Sequence, residues 1–134
     1  MIKEITSFIA DRSGLVLGTT IQHGVFLPEN PDRCVLVAFN RGGVVDFELP
    51  DRADVIVQCL ARAPKYSDAY DDAWLIYGSI HGQSEWALPV LVSGNAYRVH
   101  TITAMTYPQY IGPDEKGRYF WTCNYIFRVA NAAY

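Results

Sequence analysis

The side chains from Tyr119 to Val129 alternate in type, and this alternation constrains the fold more than any other feature of the sequence. The apolar positions of the run are Tyr119, Trp121, Cys123, Tyr125, Phe127 and Val129. The positions between them include Thr122, Asn124 and Arg128. Successive side chains of a strand point to opposite faces of its sheet. The period of two therefore predicts a strand in a sheet that is packed on one face.

Four further runs of the chain have the composition of strands. Residues 34–39 read CVLVAF and are apolar on both faces, which predicts a central strand covered on both sides. Strands are also expected within residues 15–26, 54–62 and 97–105, since these runs are rich in β-branched residues and end in turn residues. The strands at 97–105 and 119–129 are expected to pair as an antiparallel hairpin with a long connection, and residues 83–96 are predicted to be a loop.

Two helices are predicted from the spacing of apolar residues. The first covers Met1 to about Arg12 and ends at Gly14, a residue that tolerates the left-handed conformation found after helices. The second has Ser67 as its expected N-cap and runs to Ile80. Its apolar stripe is Ala69, Ala73, Ile76, Tyr77 and Ile80. The fold class expected is α+β, one domain over residues 1–134, with a mixed, largely antiparallel sheet of four to six strands and two helices packed on it.

Charge and hydropathy exclude several classes of function. The chain has 134 residues, 11 basic and 14 acidic, and a formal net charge of −3. Its basic residues are scattered, whereas a protein that grips phosphates carries a basic face, so sequence-specific nucleic-acid binding is not expected. No apolar run approaches the roughly 20 residues that span a membrane. The acids cluster at Asp46, Glu48, Asp51 and Asp54, and again at Asp68, Asp71 and Asp72.

The histidines and cysteines form no catalytic or metal-binding motif. His81 ends the second helix and is expected to be structural, and His23 and His100 have no acid at a meaningful spacing. The three cysteines, an odd number without a CxxC pair, are expected to be buried free thiols. We therefore predict no enzyme activity, catalytic residue, metal or cofactor, although a non-motif enzyme stays open at this point.

Two acidic pairs are of the residue types found in catalytic and metal-binding sites, but their sequence context favours ordinary helix-start and turn roles. Asp71 and Asp72 are adjacent on a helix, where side chains diverge by about 100°, so they are expected to be solvated residues of the helix start. Asp114 and Glu115 lie in the run GPDEKG, and ordinary turn chemistry is favoured there because calcium requires at least six oxygen ligands.

Aromatic residues are the remaining feature. Tyr70 and Trp74 share a helix face displaced from the apolar stripe, and they are the candidate partner surface. Trp86 and Tyr110 are predicted to lie in loops. The alternative is that all four belong to a wide helix face and to loops tucked onto the core.

Several stretches together resemble one known family, the small tail-terminator or minor capsid proteins of long-tailed bacteriophages and prophages. The likeness covers a strand with a Val-Gln-x-Leu-x-Arg pattern, a helix with Ala-x-x-x-Ala, an acidic Gly-x-Asp-Glu-x-Gly-Arg turn and an Asn-Tyr-x-Phe-Arg strand. The apolar loop at residues 88–92 departs from the pattern, which there has Gly and polar residues. The matching residues are Val57, Gln58, Leu60, Arg62, Ala69, Ala73, Gly82, Gly112, Asp114, Glu115, Gly117, Arg118, Asn124, Tyr125, Phe127 and Arg128.

This resemblance implies a structural role in the virion. Tail terminators form a ring, usually hexameric, on the head-proximal end of the tail tube, which stops tube growth and joins the filled head. The implied partners are further copies of the chain, the tail-tube protein and a head-completion protein, with assembly in the host cytoplasm and no cofactor or enzyme activity. Two alternatives stay open: another head–tail connector, and a small α+β ligand-binding domain or enzyme.

The resemblance also gives a reading of the segment from Asn40 to Arg52. A Gly-Gly turn and several acids suit a projecting arm that lies across a neighbouring subunit or faces the channel through which DNA passes. The alternative is a freely solvated hairpin. The candidate residues for the oligomer interface or lumen are Arg41, Asp46, Phe47 and Glu48.

Overall fold

The computed structural model describes residues 1–40, 44–45, 52–91 and 96–131. Within them the chain forms two helices and eight strands. In chain order these are α1 (Ile2–Ser13), β1 (Ile21–His23), β2 (Cys34–Phe39), β3 (Val44–Val45), β4 (Arg52–Ala63), α2 (Tyr66–Ile80), β5 (Ser84–Ala87), β6 (Tyr97–Ala104), β7 (Gln109–Pro113) and β8 (Tyr119–Asn131). The α+β class is therefore confirmed.

The two longest strands form the centre of the sheet. β4 and β8 pair antiparallel along the whole of β4, from Arg52 opposite Ala130 to Ala63 opposite Tyr119. The strand order is β1-β2-β4-β8-β6-β5, with β3 also paired to β4 and β7 also paired to β8. β1 runs parallel to β2, and the other pairings are antiparallel. The sheet is thus mixed and largely antiparallel as expected, and the predicted antiparallel pairing of the strands at 97–105 and 119–129 is confirmed by β6 and β8.

One face of the sheet is covered by the helices, and the other face is open. Alternate residues of β8 from Trp121 to Val129 are buried, together with alternate residues of β4 from Val55 to Ala63. α2 packs on β4 and β8, and α1 packs on α2, β1 and β2. Ile56, Leu60 and Ile126, on the opposite face, are only half-buried. The one-sided packing predicted from the period of two is confirmed.

The expectation for β2 was wrong in one respect. Its composition predicted a central strand covered on both sides, but β2 lies second from the edge, between β1 and β4. Val35 and Val37 are fully buried under the helices, whereas Leu36 and Ala38 point to the open face and are half-buried. Apolar residues on both faces therefore reflect an open face that is itself partly apolar.

The helix ends agree with the sequence in one case and differ in the other. α1 ends at Gly14, whose φ of 82° is the left-handed conformation expected there. α2 begins earlier than predicted, because its N-cap is Lys65 and its first residue is Tyr66. Ser67 lies inside the helix and therefore does not cap it. The apolar stripe of α2 is buried as predicted, except that Tyr77 is half-buried.

Short strands were missed where the sequence predicted loops and turns. Residues 83–96 contain β5, and the connection from β6 to β8 contains β7. Trp86 lies in β5 and Tyr110 lies in β7, so both are strand residues rather than loop residues. The strand predicted within residues 15–26 covers only the three residues of β1. Elements of three to five residues are too short to show a periodicity, which is why they escaped prediction.

Candidate interaction surfaces

A continuous row of aromatic rings runs along α2 and across to β7 and β8. Tyr66, Tyr70 and Trp74 follow one another at a spacing of four residues, which places them on one side of a helix. Ring centroids lie 5.1 Å apart between Tyr70 and Trp121 and 5.1 Å apart between Tyr66 and Tyr110. We call this set the aromatic strip. Its members are Tyr66, Tyr70, Trp74, Tyr77, His81, Tyr107, Tyr110, Tyr119 and Trp121.

The strip is buried at one edge and exposed at the other. Trp121 is 8% exposed and belongs to the hydrophobic core. Tyr66, Tyr70 and Tyr110 are 47%, 42% and 43% exposed, and Tyr107 is 67% exposed. Most neighbouring rings meet at tilted or edge-to-face angles, the favourable arrangement for aromatic pairs. The structure thus brings together the predicted pair, Tyr70 and Trp74, whose centroids are 6.1 Å apart.

The angular positions of the residues on α2 explain how one helix contributes to both the core and the aromatic strip. At 100° per residue, the aromatic positions lie between the buried apolar stripe and an exposed flank. That flank consists of Ser67, Asp71, Leu75 and Gly78; Asp71 and Leu75 are exposed. The carboxylate of Asp71 has no ion-pair partner within 4.0 Å among the described residues. The strip is therefore bordered by solvent and by a negative charge.

The neighbouring acids of α2 are held by an arginine from outside the helix. The Nε and Nη2 atoms of Arg33 each donate a hydrogen bond of 3.0 Å to the carboxylate of Asp72. Arg33 also lies 3.6 Å from Asp68. The bond to Asp72 raises the pKa of Arg33 above its ordinary value. Asp72 is 5% exposed, so the expectation that it is a solvated residue of the helix start was wrong, because Arg33 compensates its charge.

On the open face of the sheet, the segment from Gly24 to Arg33 covers one end. Arg62 of β4 is 5% exposed and donates hydrogen bonds of 3.0 Å to the carbonyl oxygens of Asp32 and Pro31. Its guanidinium lies 3.8 Å from the ring centroid of Phe26. Burial lowers the pKa of Arg62 below its ordinary value. Arg62, part of the resemblance pattern, thus fastens a loop to the sheet.

The acidic turn GPDEKG, which also belongs to the resemblance pattern, is held by hydrogen bonds between residues close in sequence. Asp114 accepts hydrogen bonds from the backbone N–H groups of Lys116 and Arg118 and from the Arg118 guanidinium, at 2.8–2.9 Å. Desolvation acts to raise the pKa of Asp114, but these bonds outweigh it and lower the pKa. Arg118 also lies 3.5 Å from Asp32. The turn therefore uses Asp114 as a structural residue, and no group of three metal-ligating side chains lies close together in the part of the chain that is described.

The histidines occupy three different settings. His81 stacks on Tyr77 at 4.7 Å, and its Nδ1 accepts a hydrogen bond of 3.0 Å from the backbone N–H of Ala104. His81 is therefore structural, as predicted. Its hydrogen bond with Ala104 connects the end of α2 to β6, a contact that the sequence did not indicate. The Nδ1 of His100 lies 3.5 Å from the Glu85 carboxylate, a pairing that the sequence did not indicate. Arg98 also bonds to Glu85, so this group is an exposed charge cluster. His23 is half-buried in β1.

The three cysteines are buried and free, as predicted. Cys59 of β4 and Cys123 of β8 stand opposite each other beneath the helices. Desolvation raises the pKa of the Cys59, Cys123 and Cys34 thiols. They therefore stay protonated at neutral pH and behave as small apolar side chains.

The four arm residues, Arg41, Asp46, Phe47 and Glu48, lie outside the described residues. Of the predicted arm, the structure describes Asn40, Val44, Val45 and the backbone of Arg52, the first residue of β4. The backbone of Val44 and Val45 pairs with Asp54 and Ala53 of β4. The apolar loop that departs from the resemblance pattern packs inward at Leu88, which is 3% exposed. Among the described helices, none combines the length and hydropathy needed to span a membrane.

Comparison with known proteins places the chain in a family. A family model described as bacteriophage tail terminator protein matches residues 8–131. No curated protein sequence matches the chain. Among solved structures, it is similar to a chain of the "Virion of native gene transfer agent (GTA) particle", with a TM-score of 0.57 and 13% identity over 91% of this chain and 84% of that one. At this identity the likeness shows a shared fold. On the family match, the chain belongs to the bacteriophage tail terminator proteins, structural components of the phage tail.

Proposed function

We propose that copies of this chain form a ring, hexameric in the assembled virion, that caps the head-proximal end of the tail tube. The ring stops tube growth and then presents the surface that joins the filled head. In this role the chain contacts further copies of itself, the tail-tube protein and a head-completion protein. It acts by assembly, without a catalytic step or cofactor.

One observation carries the proposal, the match to the tail terminator family over residues 8–131. The fold is compatible with the role. A sheet covered on one face and open on the other, with an exposed row of rings beside it, offers distinct surfaces for different neighbours. A ring requires such surfaces, because each subunit contacts its two neighbours through different patches.

Electron microscopy of the purified chain mixed with tail tubes and, separately, with DNA-filled heads tests this proposal. A tail terminator caps tube ends, whether or not it also binds heads through its head-joining surface. Binding to heads alone would instead identify the chain as a head-completion or neck protein, the other connector class. Bovine serum albumin mixed with the same tubes serves as the control for non-specific adhesion.

We further propose that the arm from Asn40 to Arg52 contacts a neighbouring subunit or lines the channel through Arg41, Asp46, Phe47 and Glu48. Support comes from its acids, which repel DNA phosphates and so let DNA pass without adhering. Deletion of residues 41–49 is expected to preserve folding and abolish ring formation, as measured by circular dichroism and light scattering. An unchanged oligomer mass would disprove the interface role, and unchanged infectivity of an Asp46→Lys, Glu48→Lys phage would disprove the channel role.

A further inference from the structure

The aromatic strip has more exposed apolar surface than the core of the protein requires. Aromatic side chains bury roughly 150–250 Å² each, so the four tyrosines that are 42–67% exposed leave about 400 Å² of their surface in contact with water. Patches of about 300–600 Å² are the largest that monomers carry, and they are often functional. Tyr and Trp are also the residues enriched where proteins bind each other.

We propose that the aromatic strip, with Asp71 at its border, docks a segment of a different virion protein that carries an arginine between apolar side chains. This inference rests on the proposed assembly role and names the kind of partner that one of its surfaces takes. A guanidinium is suited to the site because it stacks on aromatic faces and also pairs with a carboxylate.

The chain itself shows both halves of this chemistry. The guanidinium of Arg12 lies 4.8 Å from the ring centroid of Trp86, stacked over an aromatic face. The guanidinium of Arg33 forms two hydrogen bonds with Asp72, the residue that follows Asp71 in α2. Asp71 and Trp74 lie three residues apart on α2, so a carboxylate and a ring are neighbours on the helix surface. No arginine among the described residues pairs with that carboxylate.

A symmetric contact between two strips offers no basic partner to Asp71. None of the strip's residues is an arginine or a lysine, so two copies that pair strip to strip would leave each Asp71 without an opposite charge. The strip is therefore better suited to a segment that brings an arginine than to a second strip.

A head-to-tail contact with another copy would need an available arginine, and the described ones are engaged. Each forms a contact within its own chain, to a carboxylate, a carbonyl or a ring. These are Arg12, Arg33, Arg62, Arg98, Arg118 and Arg128. Arg41 and Arg52 have side chains outside the described residues. Three acids, Asp46, Glu48 and Asp51, lie between them, so residues 41–52 carry a net negative charge. Asp71 would repel that segment, and a different chain is the better occupant.

The test places a photo-crosslinker in the strip during particle assembly. The chain is expressed with Tyr70→p-benzoylphenylalanine in a particle-producing host, the lysate is irradiated, and the cross-linked peptide is sequenced by mass spectrometry. We expect a peptide from another virion protein with an arginine within a few residues of the link. A link to a second copy of this chain, or to a segment without a basic residue, would overturn the proposal, as would the absence of any link in finished particles.

A charge reversal at the border gives a second, independent readout. Asp71→Lys is expected to lower incorporation of the chain into particles by about tenfold or more. The purified variant should keep the oligomer mass and melting temperature of the wild type. The matched control is Asp11→Lys, which changes an exposed aspartate of α1 outside the strip and should leave incorporation unchanged.

The two readouts separate this inference from the proposed ring. If Asp71→Lys alters the oligomer mass, the strip is a contact between copies, and the inference is wrong while the ring stands. If the wild-type chain fails to cap tubes but still cross-links to an arginine-bearing partner, the ring proposal is wrong while the inference stands. Equal incorporation of the two lysine variants would contradict the inference directly.

Discussion

The helices α1 and α2 bury one side each against the same core, but their outer sides differ. On α1, Ile5 and Ile9 are fully buried, and the outer side carries Lys3 and Asp11 in solvent, as in an ordinary amphipathic helix. On α2, Ile76 is buried equally well, but a row of half-exposed rings lies between the buried stripe and solvent. One buried side suffices to close a core. α2 therefore carries more exposed aromatic surface than folding requires, which indicates a binding surface.

The largest effect is expected where the two helices are alike. Ile9→Ala in α1 and Ile76→Ala in α2 should each lower the free energy of unfolding by about 2–4 kcal/mol, since each removes a fully buried side chain and leaves a cavity. Urea unfolding followed by circular dichroism measures both values. If one of the two cost less than about 1 kcal/mol, the view that both helices serve the core equally would be wrong.

An intermediate effect is expected where α2 is tied to the loop before β2. Asp72→Asn removes the charge that holds Arg33, whose side chain is 49% exposed and therefore partly screened by water. We expect a loss of about 1–2 kcal/mol in the free energy of unfolding. Asp11→Asn on α1 is the matched control and should change stability by less than about 0.5 kcal/mol. Equal losses would mean that the Arg33 contact adds nothing.

The smallest effect on stability is expected in the strip, and there the two helices should differ most in function. Tyr70→Ala should lower the free energy of unfolding by only about 1 kcal/mol, because the ring is already 42% exposed. Incorporation into particles, scored by quantitative immunoblotting, should nevertheless fall. Tyr97→Ala, which removes a half-buried tyrosine of β6 outside the strip, is the control. If the Tyr70 variant were incorporated as well as the control, the strip would serve only to pack the core and not to bind a partner.

The long elements of the fold were predictable because their patterns are long. β8 shows the period of two over eleven residues, and α2 shows its apolar stripe over three turns, so both were identified from residue spacing. β5 has four residues and places Glu85 in a left-handed conformation with φ of 59°, a local geometry that no periodicity encodes. β7 has five residues with Gly112 and Pro113 among them, and its composition is that of a turn.

The site was predicted only in part, for two physical reasons. Tyr70 and Trp74 were found because they lie four residues apart on a helix. Tyr66 was missed because the predicted N-cap, Ser67, placed it outside the helix, and an N-cap at Lys65 would have added it to the same row. The pairing of Arg33 with Asp72 spans 39 residues and depends on where the tertiary fold places the loop before β2 relative to α2, so sequence spacing gives no signal for it.

The growth of tail tubes in the presence of the purified chain tests the central claim most directly. Tube protein is assembled in vitro with the chain absent or present, and tube lengths are measured by electron microscopy. The added chain is expected to halt elongation, so that tubes are shorter and carry a cap at one end. Tubes that grow to the same lengths with and without the chain, and that carry no cap, would contradict the central claim.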